Sequence, residues 1–326
     1  MGLSLNMTWL DELLDRLASQ IPCGYHAAGP ARSEPTALAA LTLIAYGRDD
    51  ASLKALEWLG RRQNTDGSVG PTATQSTPGW PTGLVVLSAT AWKTAMASKS
   101  HGSLPSSAAL PFDINRAVSW ILQTRGEALP QASEMGHDTT LVGWPWVEET
   151  HSWIEPTAFH GLALKAVGQG NHPRTREAIR LLIDRLLPDG GCNYGNTVVM
   201  DQVLRPHLQP TGLSMLALAS ESDLDGRITK SLDYLSAELS PRTASASLSY
   251  GLMGLGAHGV VPIDSSDWLE AAYRRTITRG ASSYQLALLA LAALGTASPL
   301  ITLPNSTPTR SVSEAARRSS VAKVSG

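Results

Sequence analysis

The sequence predicts an all-α protein of about twelve helices in two concentric layers. Three observations predict it. Runs that alternate β-branched or aromatic residues with polar ones are scarce, so strands have little support. Amphipathic segments alternate with segments that are apolar almost all round. A Pro-Thr string recurs where the apolar segments begin.

The amphipathic segments are 7–19, 50–63, 112–124, 173–187, 225–239 and 264–278, with apolar residues at three- and four-residue spacing. In 51–63, Leu53, Leu56 and Leu59 form a stripe, while Lys54, Glu57, Arg61 and Arg62 can face water. Between them lie Ala37–Ala45, Leu84–Ala91, Ala158–Val167, Leu213–Ala219, Leu248–Ala257 and Leu286–Leu294. A helix with no polar face must be buried on every side, so these form the inner layer.

Four inner helices open on Glu34-Pro35-Thr36-Ala37, Trp80-Pro81-Thr82-Gly83, Glu155-Pro156-Thr157-Ala158 and Gln209-Pro210-Thr211-Gly212. Proline suits a first helical turn, where its missing N–H costs nothing. Leu38, Leu84, Phe159 and Leu213 follow three residues later, and Leu41, Leu87, Leu162 and Leu216 six later. These offsets place them near one face. Two degenerate units, Ala244–Gly256 and Ala281–Gly295, bring the helix pairs to six. The turns Gln63-Asn64-Thr65-Asp66-Gly67-Ser68-Val69-Gly70 and Pro188-Asp189-Gly190-Gly191-Cys192-Asn193-Tyr194-Gly195 also match, and read as helix-to-helix connections.

Composition excludes several classes. The 326 residues carry 26 Lys plus Arg against 28 Asp plus Glu, a net charge of −2, so no basic footprint for nucleic acid or anionic membrane is expected. Hydrophobic residues at 43% suffice for a large core. No apolar run approaches the ~20 residues of a membrane span. Cys23 and Cys192 cannot build a disulfide scaffold or a four-cysteine zinc site. The start, with leucines at helical period and no basic leader, reads as a mature helix, and a cytoplasmic protein is expected. The helical domain is assigned to 1–296. Residues 297–326, rich in Ser, Thr, Pro and Arg, read as a disordered tail, and 97–110 reads as a loop.

The repeats resemble the prenyltransferase and squalene-oxidase repeat family, which includes terpenoid cyclases and protein prenyltransferase β subunits. The resemblance covers about 8–295 and rests on the two Asp-Gly turns, the four Pro-Thr starts, and the block Gly143-Trp144-Pro145-Trp146-Val147-Glu148-Glu149-Thr150-His151-Ser152-Trp153-Ile154-Glu155-Pro156-Thr157. It implies an (α/α)6 toroid around an apolar cavity holding an isoprenoid-type small molecule, and by analogy a helical protein partner. The family's reaction motifs are absent. Asp223-Leu224-Asp225-Gly226 falls short of the cyclase Asp-X-Asp-Asp and reads as a helix start. Asp189 and Cys192 are wrongly spaced for the prenyltransferase zinc site, and Ala244-Ser245-Ala246-Ser247-Leu248-Ser249-Tyr250 has no histidine. No metal or cofactor is expected.

Residues 134–160 hold the densest chemistry. Carbocation reactions need an acid and π faces. Asp138, Glu148, Glu149, His151 and His160 are the candidate catalytic groups, and Glu155 is a further candidate acid. Trp80, Trp144, Trp146, Trp153 and His207 are the candidate ligand-binding groups. Glu155 also mirrors Glu34, and both can simply complement a helix N-terminus. His160 is the exception to its repeat position, where Ala39, Val85 and Ser214 stand in the other units. The expected activity is isoprenoid handling, as prenyl transfer or acid-initiated cyclisation. A rival reading is a non-catalytic toroid that binds a lipid or a partner chain. A third is a glycan-active α/α barrel, where carboxyl pairs and tryptophans grip sugar rings.

Overall fold

The computed structural model describes residues 8–99, 110–131 and 133–303. The outer helices are α1 (Trp9–Ser19), α3 (Asp49–Gly60), α5 (Ile114–Gln123), α7 (Pro173–Asp184), α9 (Arg227–Glu238) and α11 (Ser265–Thr278). The inner helices are α2 (Ser33–Ala45), α4 (Thr82–Lys99), α6 (Ile154–Ala166), α8 (Leu208–Ala217), α10 (Ser245–Ala257) and α12 (Ser283–Ala293). Each inner helix packs on the next, and α12 packs back on α2, which closes the ring. This is the (α/α)6 toroid. The described strands are two short ones, β1 (Val198–Val199) and β2 (Gln202–Val203), paired as a hairpin outside the ring.

The two layers follow from side-chain chemistry. Helix α2 buries every residue from Ser33 to Leu43. Helix α1 buries only Leu13, Leu14 and Leu17, and turns its charges to solvent. Thr8 and Asp11 form a capping box at α1, Asp113 caps α5, and Asp223 accepts from the Ile228 and Thr229 N–H groups to hold the start of α9. Helices α8 and α10 approach most closely where Gly212 faces Gly254; a Cβ on Gly254 would come within 2.6 Å of the Gly212 carbonyl.

The recurring threonine ties each unit together. Its Oγ1 accepts a backbone N–H from the loop that precedes the helix. Cys23 N–H reaches Thr36 at 3.2 Å, Val69 reaches Thr82 at 2.9 Å, Trp144 reaches Thr157 at 3.0 Å, and Cys192 reaches Thr211 at 2.9 Å. Each tie seats one loop residue over the start of an inner helix. All four are buried, and both cysteines are free. Burial pushes the Cys23 thiol up to about 12 and the Cys192 thiol up to about 11, so they pack as small apolar groups.

The third unit stacks three of its side chains. The Trp144 ring lies flat on His160, with centroids 5.2 Å apart, and the Arg174 guanidinium carbon sits 4.5 Å from the centroid of the Trp144 ring. Trp144 Nε1 donates to the Ile121 carbonyl. His160 is 0% exposed, and its Nδ1 lies 2.7 Å from the Pro156 carbonyl. Burial, opposed by that carbonyl and aided by Arg174, lowers its pKa from 6.5 to about 4.

Two boundaries differ from expectation. Helix α4 runs on to Lys99 because Trp92 and Met96 extend its buried face. The chain after residue 296 does not leave the core at once: Ser298 and Leu300 are buried, and Ser298 Oγ reaches the Met253 sulfur. Packing continues through Leu303. Residues 304–326, and 100–109 of the expected loop, lie outside the described residues.

Two outcomes are expected. Thr82→Val keeps shape but leaves the buried Val69 N–H unpaired, so urea unfolding should show a loss of about 1–3 kcal/mol. Thr94→Val, whose hydroxyl only bonds its own helix, should change stability by less than about 0.5 kcal/mol. The second concerns His160. Between pH 6.5 and about 4 the unfolded state takes up a proton that the folded state refuses, so folding weakens as pH falls through that window. His160→Phe should flatten this acid limb by one proton's slope, about 1.4 kcal/mol per pH unit. An unchanged slope in urea titrations across the window would show that His160 charges in the fold.

Candidate functional site

Because every inner helix is returned by an outer one, the inner helices run parallel and their N-termini share one end of the toroid. The residue before each repeat proline therefore recurs around one mouth. In chain order it is Glu34, Trp80, Glu155 and Gln209. A second set comes from the threonine ties. Two residues beyond the tied Cys23, Trp144 and Cys192 stand Tyr25, Trp146 and Tyr194. The same local device thus supplies acids and an amide at the helix starts, and aromatic rings from the loops above them.

These groups engage one another. The Tyr25 hydroxyl donates to Oε2 of Glu34. The Tyr25 ring meets Tyr284 of α12 edge-on, with centroids 5.5 Å apart. Gln209 Nε2 donates to Oε1 of Glu155 at 2.7 Å. Trp80 and Trp146 pack edge-to-face at 4.6 Å, and Tyr194 lies 5.1 Å from the ring of His207. Glu34, Tyr25, Tyr194, Tyr250 and Tyr284 all lie within electrostatic reach of Glu155.

Electrostatics separate the two carboxyls. Glu34 is 9% exposed, and burial drives its pKa up to about 7, against the lowering effect of the Tyr25 bond and with a further push from Glu155. Glu155 keeps some solvent contact; burial raises its pKa too, but the Gln209 N–H stabilises its charged form. Both stand in first helical turns, whose dipoles favour negative charge, yet burial dominates. Tyr250 is 1% exposed, and its hydroxyl has no well-formed hydrogen bond. Its ring meets Phe159 of α6 at 6.3 Å.

The block 134–160 divides. Glu148 and Glu149 sit on an exposed turn, where Glu149 adopts φ 60°. The Asp138 carboxylate accepts from the N–H and hydroxyl of Thr140, and those bonds lower its pKa. His160 and Trp144 are sealed in the core at 0% exposure, so neither can touch a ligand without repacking. His151 leans on Trp153 at 4.5 Å and borders a side cavity of about 160 Å³ with His137 and Arg185. Trp80, Trp146 and Trp153 are half-buried, and His207 is exposed just before α8. The groups that the sequence did not single out are Glu34, Tyr25, Gln209, Tyr194, Tyr250 and Tyr284. One signal was available. The position before the repeat proline reads Glu, Trp, Glu, Gln, an unusually functional set for a helix start.

Among the described residues no three His, Cys, Asp or Glu side chains gather as a metal site would require, and no helix is long and apolar enough to cross a membrane.

No family model matches the chain, and no curated protein matches it. Solved structures do. An inactive variant of an α-1,6-mannanase of Salegentibacter sp., in complex with α-1,6-mannotriose, aligns with a TM-score of 0.54 at 11% identity, over 90% of this chain and 100% of that one. At that identity the likeness establishes the shared toroid fold. It corrects the expectation of a prenyltransferase/squalene-oxidase relative, and with it the terpenoid-cyclase reading and the isoprenoid partner. The physical reason is that the repeats encode a ring of paired helices, a scaffold shared across unrelated chemistries. The inner helices also pack on each other, and Leu41, Leu87, Leu162 and Leu216 keep at most 3% of their surface. Carboxyls, an amide, phenols and indoles instead gather at the inner-helix starts of a toroid like that of a mannanase.

Proposed function

We propose that this end of the toroid binds a sugar chain and that the protein is a glycoside hydrolase, with Glu34 as general acid and Glu155 as its partner carboxyl. The observation that carries this reading is a pair of carboxyls at one end of the toroid, within electrostatic reach of each other and in unequal environments. A glycosidase needs one carboxyl protonated and its companion charged at the same pH. Glu34 holds its proton up to about pH 7. Its Oε2 accepts from Tyr25, so Oε1 is left to carry that proton toward a leaving oxygen. Glu155 is held through Oε1 by Gln209, so Oε2 is free to act as base or nucleophile. Trp80, Trp146, Trp153 and Tyr194 supply flat faces for sugar rings, as proposed binding groups. The mannotriose-bound neighbour supports this reading through its fold.

The test is incubation with α-1,6-linked manno-oligosaccharides and a panel of other glycans, followed by product analysis. Glu34→Gln and Glu155→Gln should each lower kcat by about 10²–10⁴-fold while oligosaccharide binding persists. Turnover should fall above about pH 7 as Glu34 loses its proton. Absence of both glycan binding and cleavage, or full activity in Glu34→Gln, would sink the assignment.

A stability measurement tests Glu34 without a substrate. Its folded pKa lies above the ordinary carboxylate value of 4.5, so the folded state binds the extra proton between pH 4.5 and about 7, and stability falls as pH rises through that window. Glu34→Gln should therefore gain on the order of 3 kcal/mol relative to wild type at pH 8 over its difference at pH 4. Equal differences at both pH values would mean that the carboxyl is not buried as described.

A further inference from the structure

The last two units lack the Pro-Thr start and the loop residue it ties down. In their place, between the ends of α10, α11 and α12, is a cavity of about 360 Å³. Three arginines line it: Arg242 from the loop before α10, and Arg275 and Arg279 from the end of α11. No carboxylate lines it. Among the described ion pairs none involves these arginines. Arg275 spends one nitrogen on the Thr243 carbonyl, while Arg242 and Arg279 are exposed. Ser245 opens α10 and Gln285 lies in the first turn of α12, so two positive helix ends also border the cavity.

Arg275 and Arg279 alone could be read as cations complementing the C-terminus of α11. That does not account for Arg242, which comes from a different connection, or for the space between the three. Like charges converge on one surface pocket with nothing negative to hold them there. We propose that this cavity is a binding site for a tetrahedral oxyanion, phosphate or sulfate. Guanidinium forks match such an ion in pairs. The volume equals roughly twelve waters, enough for the oxyanion and the group that carries it. The cavity shares the start of α12 with the mouth, since Ser282 donates to the Tyr25 carbonyl at 2.5 Å.

The proposal does not require the hydrolase reading, and the experiment keeps them apart. Inorganic phosphate and sulfate are titrated calorimetrically at fixed ionic strength, with chloride as the control. Mannose 6-phosphate and mannose are titrated in parallel. Saturable oxyanion binding is expected. Arg242→Ala and Arg279→Ala, at exposed positions, should each weaken it roughly tenfold, and together more. Their thermal transitions report that the fold is intact. Glu34→Gln should bind phosphate as wild type does, so failure of the hydrolase reading leaves this result standing. Tighter binding of mannose 6-phosphate than of phosphate assigns the oxyanion to a sugar; equal binding assigns a free ion. No binding beyond chloride, or equal affinity in the double variant, overturns the proposal.

Discussion

A threonine hydroxyl that accepts one loop N–H is the interaction on which the molecule turns. Thr36, Thr82, Thr157 and Thr211 each sit one residue after a proline, in the first turn of an inner helix or beside it. Each satisfies a backbone donor that would otherwise be buried unpaired beneath the incoming loop. That single bond sets the height of the loop over the helix. Repeated around the ring, it sets the depth and lining of the mouth. The residue before each proline and the residue two beyond each tied N–H are then presented to the same space, whatever their identity.

This explains how a structural repeat can carry chemistry. The ring needs the proline, the threonine and a buried residue under the loop. It is indifferent to the neighbouring position, which reads Glu, Trp, Glu and Gln in the four units. The helix dipole and the Tyr25 hydroxyl favour an ionised acid there, while burial and the charge of Glu155 resist it. Glu34 lies where these two effects compete, and burial wins. Glu155, with an amide N–H on one oxygen, lies closer to balance. The degenerate units have no such tie, and there the surface opens into the arginine-lined cavity instead.

The stretch richest in functional side chains is largely a structural brace. Trp144, His160 and Arg174 stack to join the third unit to its outer helix, and a neutral imidazole serves that purpose better than a charged one. Glu148 and Glu149 are carried out to solvent by the turn that makes the brace possible. Density of reactive residue types along a chain therefore differs from density in space. The same distinction separates fold from family. Helix pairs with Asp-Gly turns specify a toroid, and the toroid is what this chain shares with a mannanase of 11% identity.

Helix positions, their division into two layers and the six-fold count were legible in the sequence, because hydrophobic period and proline placement act locally and each repeat restates them. Twelve segments read from periodicity correspond to α1–α12, with differences at ends such as Lys99 and Leu303, where contacts distant in sequence decide. The pairing of Glu34 with Tyr25, the coupling of Glu34 to Glu155 across more than a hundred residues, and the convergence of Arg242 with Arg279 were not. Periodicity states which side of a helix is buried. Only closure of the ring, with α12 against α2, determines which of those buried or half-buried groups share a dielectric environment and so acquire a chemistry of their own.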